Sequence, residues 1–192
     1  MTKLIGIYSP APQSGKTSVA TFLERYGYQR VSFATPVKAM AITMLEHLGY
    51  STMRATQLVY EEKSTLIPEI RTTSRHILQT LGTEFGRECI HPELWTICWT
   101  AQACQLLAAD TPVIADDVRF LEEAHAIKSL GGEMWHLSRD GYVRTTTHAS
   151  EGGLDDYPSF DFRILNNGSL HSLQLAVCQR LGVAYIPEDA AA

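Results

Sequence analysis

The stretch Lys3-Leu4-Ile5-Gly6-Ile7-Tyr8-Ser9-Pro10-Ala11-Pro12-Gln13-Ser14-Gly15-Lys16-Thr17 decides the fold of this chain. Residues 3–8 form a short, mostly apolar run, which predicts a buried strand. The prolines that follow can neither continue a β-ladder nor begin a helix here, so they predict a loop. From Thr17 apolar residues recur at helical spacing until Gly27, where a helix would end. The sequence therefore predicts a strand, a loop and a helix in series.

The tetrapeptide Ser14-Gly15-Lys16-Thr17 within that loop is typical of a phosphate-binding loop, or P-loop. In such a loop the backbone N–H groups at a helix N-terminus wrap a phosphate, the lysine reaches the β- and γ-phosphate oxygens, and the threonine hydroxyl binds Mg²⁺. Pro10 stands where the motif has its first glycine. The alternative is an ordinary helix N-terminus that happens to carry this sequence. The residues predicted to bind ATP are Gln13, Ser14, Gly15, Lys16, Thr17 and Ser18, and Thr17 is also a predicted magnesium ligand.

Strand and helix patterns alternate along the rest of the chain. The predicted strands are residues 30–33, 111–117, 133–138 and 160–165, and the predicted helices are 36–48, 73–81, 92–109, 120–130 and 170–181. Residues 50–110 show no strand pattern, and residues 82–87 separate two of the helices. Because parallel strands need a helix between them, this order predicts a three-layer α/β fold with a mainly parallel five-stranded sheet. Residues 139–158 are rich in Gly, Thr, Ser and Asp and show little periodicity, which predicts a mobile loop.

The composition excludes several other classes of protein. With 192 residues, 45% of them apolar and 19% charged, the chain is expected to form one globular domain. The net charge of −5 argues against stable binding to nucleic acid. No apolar stretch approaches the ~20 residues of a membrane span, so we expect a cytosolic protein without membrane contact. The four cysteines form no CxxC pair and the seven histidines no HxxxH or HExxH pattern, which predicts reduced thiols and an oxygen-bound metal.

Two adjacent acids, Asp116 and Asp117, end the predicted strand at residues 111–117. In P-loop enzymes an acid at the carboxyl end of a strand binds the magnesium shell, and this edge of the sheet is where α/β folds place ligands. Adjacent acids also form turns, which is the alternative interpretation. The pattern alone leaves both positions as candidates.

Arginines outside the helical faces form a third group of candidates. Transfer of a phosphoryl group between two anionic partners requires planar, permanently charged donors around both of them. The alternative for each of these arginines is a solvated surface position. Trp95 and His148 are candidates for contact with a base, with packing as the alternative. The arginines are Arg71, Arg75, Arg87, Arg119, Arg139 and Arg144.

Five blocks of sequence occur in order along nearly the whole chain. They are residues 32–38 (SFATPVK), 75–87 (RHILQTLGTEFGR) with Trp95, 117–124 (DVRFLEEA), 148–151 (HASE) and 167–170 (NGSL). In these blocks the chain resembles the bacteriophage-type deoxynucleoside monophosphate kinases. The resemblance implies a P-loop kinase fold with a nucleotide-binding core, a helical acceptor-binding segment at about residues 36–110 and a lid at about residues 139–158.

The resemblance also implies roles for individual residues. Asp117 rather than Asp116 becomes the expected metal ligand. Thr35 stands where the family usually has aspartate before the proline, on the acceptor side. The residues implied to bind the acceptor nucleotide are Lys38, Arg75, Glu84, Arg87, Trp95 and His148. Those implied to act in phosphoryl transfer are Lys16, Arg119, Arg139 and Arg144, the last two in the lid.

These observations predict an enzyme that uses ATP and Mg²⁺ to phosphorylate a deoxynucleoside monophosphate, giving the diphosphate and ADP. Its expected partners are these two nucleotides, and a homodimer is left open. A related kinase acting on the hydroxymethyl group of a modified pyrimidine, free or in DNA, is the nearest alternative and would need a general base. A nucleotide-binding module without catalysis is the other alternative, in which Pro10 marks decay of the loop.

Overall fold

The computed structural model describes residues 2–11, 13–141 and 153–187. The chain forms two compact units, the first made of residues 1–33 and 99–192 and the second of residues 34–98. The sequence predicted one domain with a helical acceptor-binding segment at about residues 36–110, and the second unit overlaps that segment from residue 36 to residue 98. In the described part of the chain no helix is long and apolar enough to cross a membrane.

A parallel sheet of five strands forms the centre of the first unit, as predicted. The strands are β1 (Leu4–Tyr8), β2 (Gln29–Arg30), β5 (Val113–Ala115), β6 (Glu133–Ser138) and β7 (Phe162–Leu165), in the order β2-β5-β1-β6-β7. The central strand β1 pairs with β5 on one side, with Leu4 opposite Val113, and with β6 on the other, with Ile5 opposite Glu133. Strand β2 is shorter than the predicted 30–33.

Helices cover both faces of this sheet, and every residue of β1 is therefore buried. On one face Ile5 and Ile7 pack with helices α1 (Lys16–Glu24) and α7 (Leu170–Leu181). On the other face Leu4 and Tyr8 pack with helix α6 (Leu121–Ser129) and with Trp99. The three-layer α/β architecture is thus confirmed.

The second unit is mainly helical. It contains α2 (Thr35–His47), α3 (Thr52–Tyr60), α4 (Ser74–Thr80) and a π-helix (Leu81–Ile90), with a core that includes Leu45, Leu58 and Ile77. Two predictions were wrong here. A small antiparallel ribbon, β3 (Leu66–Ile67) with β4 (Thr72–Thr73), lies in the region predicted to have no strand. Residues 82–87, predicted to separate two helices, belong to the π-helix.

Helix α5 (Leu94–Ala108) is divided at residue 98, where the second unit ends. The predicted acceptor region extended to residue 110, whereas Trp99 and Ala103 belong to the core of the first unit. The predicted lid is described only at residues 139–141 and 153–158. Leu154 and Tyr157 are buried in the core of the first unit, so this end of the segment packs as a fixed part of the fold.

Candidate active site

Two residues of the loop between β1 and α1 have the left-handed backbone conformation that most residues avoid. Gln13 and Gly15 both have positive φ, 57° and 105°. A Cβ atom at Gly15 would lie 2.6 Å from Asn166 Nδ2 and 3.3 Å from Leu173 Cδ2. Glycine is therefore required at position 15 by both the backbone conformation and the available space. Pro12 lies outside the described residues.

Helix α1 begins at Lys16 and is preceded by Gly15, which has no side chain with which to cap it, and its first turn contains no acid. The N–H groups and the positive end of the dipole at such a helix start favour a negatively charged group. Lys16 is half-buried, Thr17 and Ser18 are exposed, and Gln13 is exposed at the other end of the loop. Ser14 is 1% exposed, and its hydroxyl has no hydrogen-bond partner in the described part of the chain.

Asn166, which is distant in sequence, supports the loop between β1 and α1. It follows β7 directly, and its Nδ2 donates to the Ser14 carbonyl oxygen at 2.9 Å. The sequence analysis did not select Asn166. The available signal was its position at the carboxyl end of a parallel strand, the edge at which ligand-binding residues of such sheets collect.

The two acids after β5 have different partners. Asp116 accepts from Ser32 Oγ at 2.9 Å and faces Arg30, whose Nη1 lies 3.4 Å from Asp116 Oδ2. Asp117 accepts from the Phe33 backbone N–H at 2.9 Å and is half-buried. Asp116 is therefore part of an ion pair within the sheet. Asp117 keeps the position that the resemblance gives to the metal ligand.

Glu123 fixes the backbone just before α6, another contact that the sequence analysis missed. It is 3% exposed, and its Oε2 accepts from the backbone N–H groups of Arg119 at 2.8 Å and Phe120 at 3.1 Å. A glutamate at the third position of a helix that binds the N–H groups before it is a known helix start. The bonds hold the backbone of Arg119, whose own side chain is exposed.

All the predicted acceptor-binding residues except His148 lie in the second unit. Lys38, on α2, has its Nζ 4.6 Å above the Tyr60 ring. Arg75 is exposed on α4, and Glu84 and Arg87 lie on the π-helix, Glu84 exposed and Arg87 half-buried. Trp95 is instead 6% exposed, and its indole N–H donates to the Gly82 carbonyl oxygen at 2.7 Å. This burial favours packing, the alternative interpretation of Trp95, and its contact with a base stays a prediction.

Of the predicted lid residues, only Arg139 can be placed. It follows β6 directly and is half-buried, whereas Arg144 and His148 lie outside the described residues. The backbone N–H of the next residue, Asp140, donates to Asn167 Oδ1 at 2.9 Å, and Asn167 Nδ2 donates to Asp140 Oδ2 at 2.7 Å. These two bonds hold the start of the segment against the end of the sheet.

The C-terminal end of the predicted lid segment contacts Tyr8, the last residue of β1. The Tyr8 hydroxyl donates to Asp155, and the Tyr8 ring stacks on Phe160 with centroids 5.7 Å apart. His136 packs edge-on against the same Phe160 ring at 5.1 Å. Burial, together with the charge of Arg163, lowers the pKa of His136, although Asp155 acts in the opposite direction. The strand that leads into the phosphate loop is thereby tied to residues 155–160.

A family model and two viral relatives all match this chain as deoxynucleotide monophosphate kinases. A sequence model of the family described as deoxynucleotide monophosphate kinase matches residues 40–177. The chain is 33% identical over 170 residues to a putative deoxynucleotide monophosphate kinase of Acanthamoeba polyphaga mimivirus, covering 82% of this chain and 85% of that protein. It is 31% identical over 97 residues to the deoxynucleoside-5'-monophosphate kinase of Escherichia phage T5, covering 50% of this chain and 36% of that protein.

Solved structures resemble the chain in fold. The crystal structure of TT1252 from Thermus thermophilus has a TM-score of 0.53 at 17% identity, covering 94% of this chain and 97% of that one. Dephospho-CoA kinase from Campylobacter jejuni has a TM-score of 0.51 at 13% identity, covering 94% and 96%. At these identities the likeness concerns the fold alone.

Proposed function

The chain belongs to the deoxynucleotide monophosphate kinase family, and we propose that it transfers the γ-phosphate of ATP to a deoxynucleoside monophosphate, giving the diphosphate and ADP. The observation that supports the ATP site is the start of α1, where Gly15 at positive φ precedes Lys16 and the first turn contains no acid. Such an enzyme works in the cytoplasm, where ATP and free deoxynucleotides are found.

The first unit supplies the residues for ATP. The N–H groups from Gln13 to Ser18 bind its phosphates, Lys16 neutralises charge on the β- and γ-phosphates, and Asn166 keeps the loop in shape through Ser14. Arg119 neutralises the charge of the transferred group, and Glu123 holds its backbone. Arg139 and Arg144 are assigned to the same phosphates, and the lid remains a proposal for residues 139–152.

The second unit supplies the residues for the acceptor. Lys38, Arg75 and Arg87 are cations, and an acceptor monophosphate carries a phosphate that is already ionised. No general base is needed, because that phosphate oxygen is itself the nucleophile. Glu84 is assigned to the nucleoside part of the acceptor as a hydrogen-bond acceptor. His148 keeps its assignment to the acceptor as a proposal.

The residues present fit a magnesium ion. Thr17 at the start of α1 and Asp117 after β5 are hard oxygen donors, and Mg²⁺ in kinases is held by one or two protein oxygens together with waters and phosphate oxygens. When bound, the ion neutralises charge on the phosphates. Asp116 does not compete for this role, because it is paired with Arg30.

The test is an assay of ADP formation from ATP with each deoxynucleoside monophosphate, alongside hydroxymethylated nucleosides and hydroxymethylated DNA. We expect turnover with at least one monophosphate and a loss of about a hundredfold or more in Lys16→Ala, which removes charge from the transition state. Lys3→Ala is the matched control, because Lys3 is an exposed lysine paired with Asp110. No turnover with any monophosphate together with phosphorylation of modified DNA would establish the alternative.

A further inference from the structure

The π-helix at Leu81–Ile90 continues α4 without a break, and its C-terminal turn is closed by the His91 N–H, which donates to the Gly86 carbonyl oxygen at 3.0 Å. A π-helix has more residues per turn than an α-helix, is rare, and recurs at functional sites. Ten residues in this conformation therefore need a contact that holds them there.

Trp95 provides such a contact at two points of one turn. Its indole N–H donates to the Gly82 carbonyl oxygen at 2.7 Å, using the second lone pair of that oxygen. Its ring covers Gly86 so closely that a Cβ atom there would lie 2.2 Å from Trp95 Cζ2 and 2.6 Å from Cε2. The ring itself is buried. One side chain thus engages both glycines of the π-helix.

The turn between those glycines carries Glu84, and Arg87 follows immediately. Both were assigned above to the acceptor nucleotide, together with Arg75 on α4. If the segment returned to α-helical geometry, Glu84 and Arg87 would rotate about the helix axis relative to Arg75. The π conformation therefore sets which side chains share a face with Arg75.

We propose that Trp95 and Gly86 are positioning residues, which hold the π-helix so that Glu84 and Arg87 are presented to the acceptor nucleotide. This inference rests on the proposed function. It explains why Trp95 is buried while the residues it supports are accessible. It also explains why glycine occupies position 86 in a helix, where alanine would ordinarily be favoured.

The test compares two pairs of matched variants. Gly86→Ala places a methyl group into the Trp95 ring, whereas Gly82→Ala, in the same π-helix, meets no atom closer than Val37 Cγ1 at 3.9 Å. Trp95→Phe removes the indole donor, whereas Trp99→Phe removes a comparable bond, from Trp99 Nε1 to the Val31 carbonyl oxygen at 2.9 Å, in the core of the first unit. The measurements are KM for the monophosphate, KM for ATP, kcat, and amide hydrogen exchange of residues 81–90.

We expect Gly86→Ala and Trp95→Phe to raise KM for the monophosphate tenfold or more, with KM for ATP changed less than twofold and faster exchange in residues 81–90. Gly82→Ala and Trp99→Phe should leave both KM values and the exchange of residues 81–90 unchanged, although Trp99→Phe will lower the unfolding temperature. Equal effects in both members of a pair, or an unchanged KM in Gly86→Ala, would overturn the proposal.

Failure of the proposed function is a different result. In that case the wild-type protein phosphorylates no monophosphate, and the exchange data alone decide whether Trp95 holds the π-helix. Faster exchange confined to Gly86→Ala and Trp95→Phe supports the contact, and exchange that is unchanged or equally raised in the controls overturns it. If Trp95→Phe does not fold, the comparison of Gly86→Ala with Gly82→Ala is sufficient.

Discussion

Asp116 and Asp117 show how neighbouring residues of the same type take different roles. Ser32 and Arg30 use both oxygens of Asp116, and the Arg30 guanidinium also reaches Glu24, with Nε 3.0 Å from Oε1. Asp117 accepts the backbone N–H of Phe33 on its Oδ1. Successive residues of an extended chain point to opposite sides, so only one of the two can serve a ligand.

The corresponding prediction concerns magnesium dependence. Asp117→Asn keeps an oxygen to accept the Phe33 N–H but loses the charge that attracts Mg²⁺, so we expect the Mg²⁺ concentration for half-maximal activity to rise tenfold or more. Asp116→Asn should leave that concentration unchanged within twofold and lower the free energy of unfolding by about 1 kcal/mol, because the Arg30 pair is partly buried. Magnesium titrations and urea unfolding measure both. The opposite ranking of the two variants would assign the metal to Asp116.

At the scale of the elements, the start of α6 depends on one buried carboxylate. Glu123→Ala leaves the N–H groups of Arg119 and Phe120 without their acceptor. We expect a loss of about 2–4 kcal/mol in the free energy of unfolding and a fall in kcat of about tenfold, as Arg119 loses its fixed backbone. Glu122→Ala, one residue earlier, should cost less than about 1 kcal/mol. Urea unfolding and steady-state kinetics test this, and equal stability of the two variants would contradict it.

Elements with long apolar periodicity could be predicted closely, whereas those decided by contacts across the chain could not. Strand β6 at residues 133–138 and helix α7 at residues 170–181 match their predicted bounds. Strand β2 ends early because Ser32 and the Phe33 N–H bind the acids after β5 and leave the ladder. The strands of the β3–β4 ribbon, two residues each, are too short for any periodicity to show.

In the candidate site, too, features that are contiguous in sequence could be predicted, and contacts across the chain could not. The Ser14–Thr17 segment could be predicted because strand, loop, glycine and helix are contiguous in sequence. The support that Asn166 gives to Ser14 could not, since the two residues are 152 positions apart and an asparagine after a strand ordinarily indicates a turn. The packing of Trp95 on Gly86 could not be predicted either, because sequence does not distinguish an aromatic side chain that stacks on a base from one that packs on a glycine.

At the scale of the whole molecule, two carboxylates join distant parts of the first unit. Glu133 accepts from Thr2 Oγ1 at 2.6 Å and from Arg180 Nε at 3.2 Å, and Asp161 accepts from Lys128 Nζ at 2.8 Å and from the Met134 N–H at 2.7 Å. Burial alone would raise the pKa of each carboxyl, but these donors outweigh it and hold both pKa values below their ordinary range.

These shifts predict how stability depends on pH. A carboxyl whose pKa is lowered by folding stabilises the native state above its unfolded pKa of about 3.9 for aspartate, and this stabilisation is lost as pH falls through the folded value. We expect Asp161→Asn to lower the free energy of unfolding at pH 7 by about 1–2 kcal/mol. Between pH 5 and 3 the unfolding temperature of this variant should fall less steeply than that of the wild type. Asp156→Asn, an exposed control, should follow wild type. Parallel curves for wild type and Asp161→Asn would contradict this assignment.

The central position of β1 has a consequence for the order in which the chain assembles during translation. β1 leaves the ribosome before the other strands of this sheet, yet Val113, opposite Leu4, is more than 100 residues away, and the partners on its other edge begin at Glu133. At about 5–20 residues per second, β1 waits roughly 5 to 20 s for its first neighbour. Throughout that time its apolar edges are open, and the loop that follows it has no sheet to hold it. In a nascent chain the loop before α1 therefore takes its final shape only after Asn166 has emerged to support Ser14.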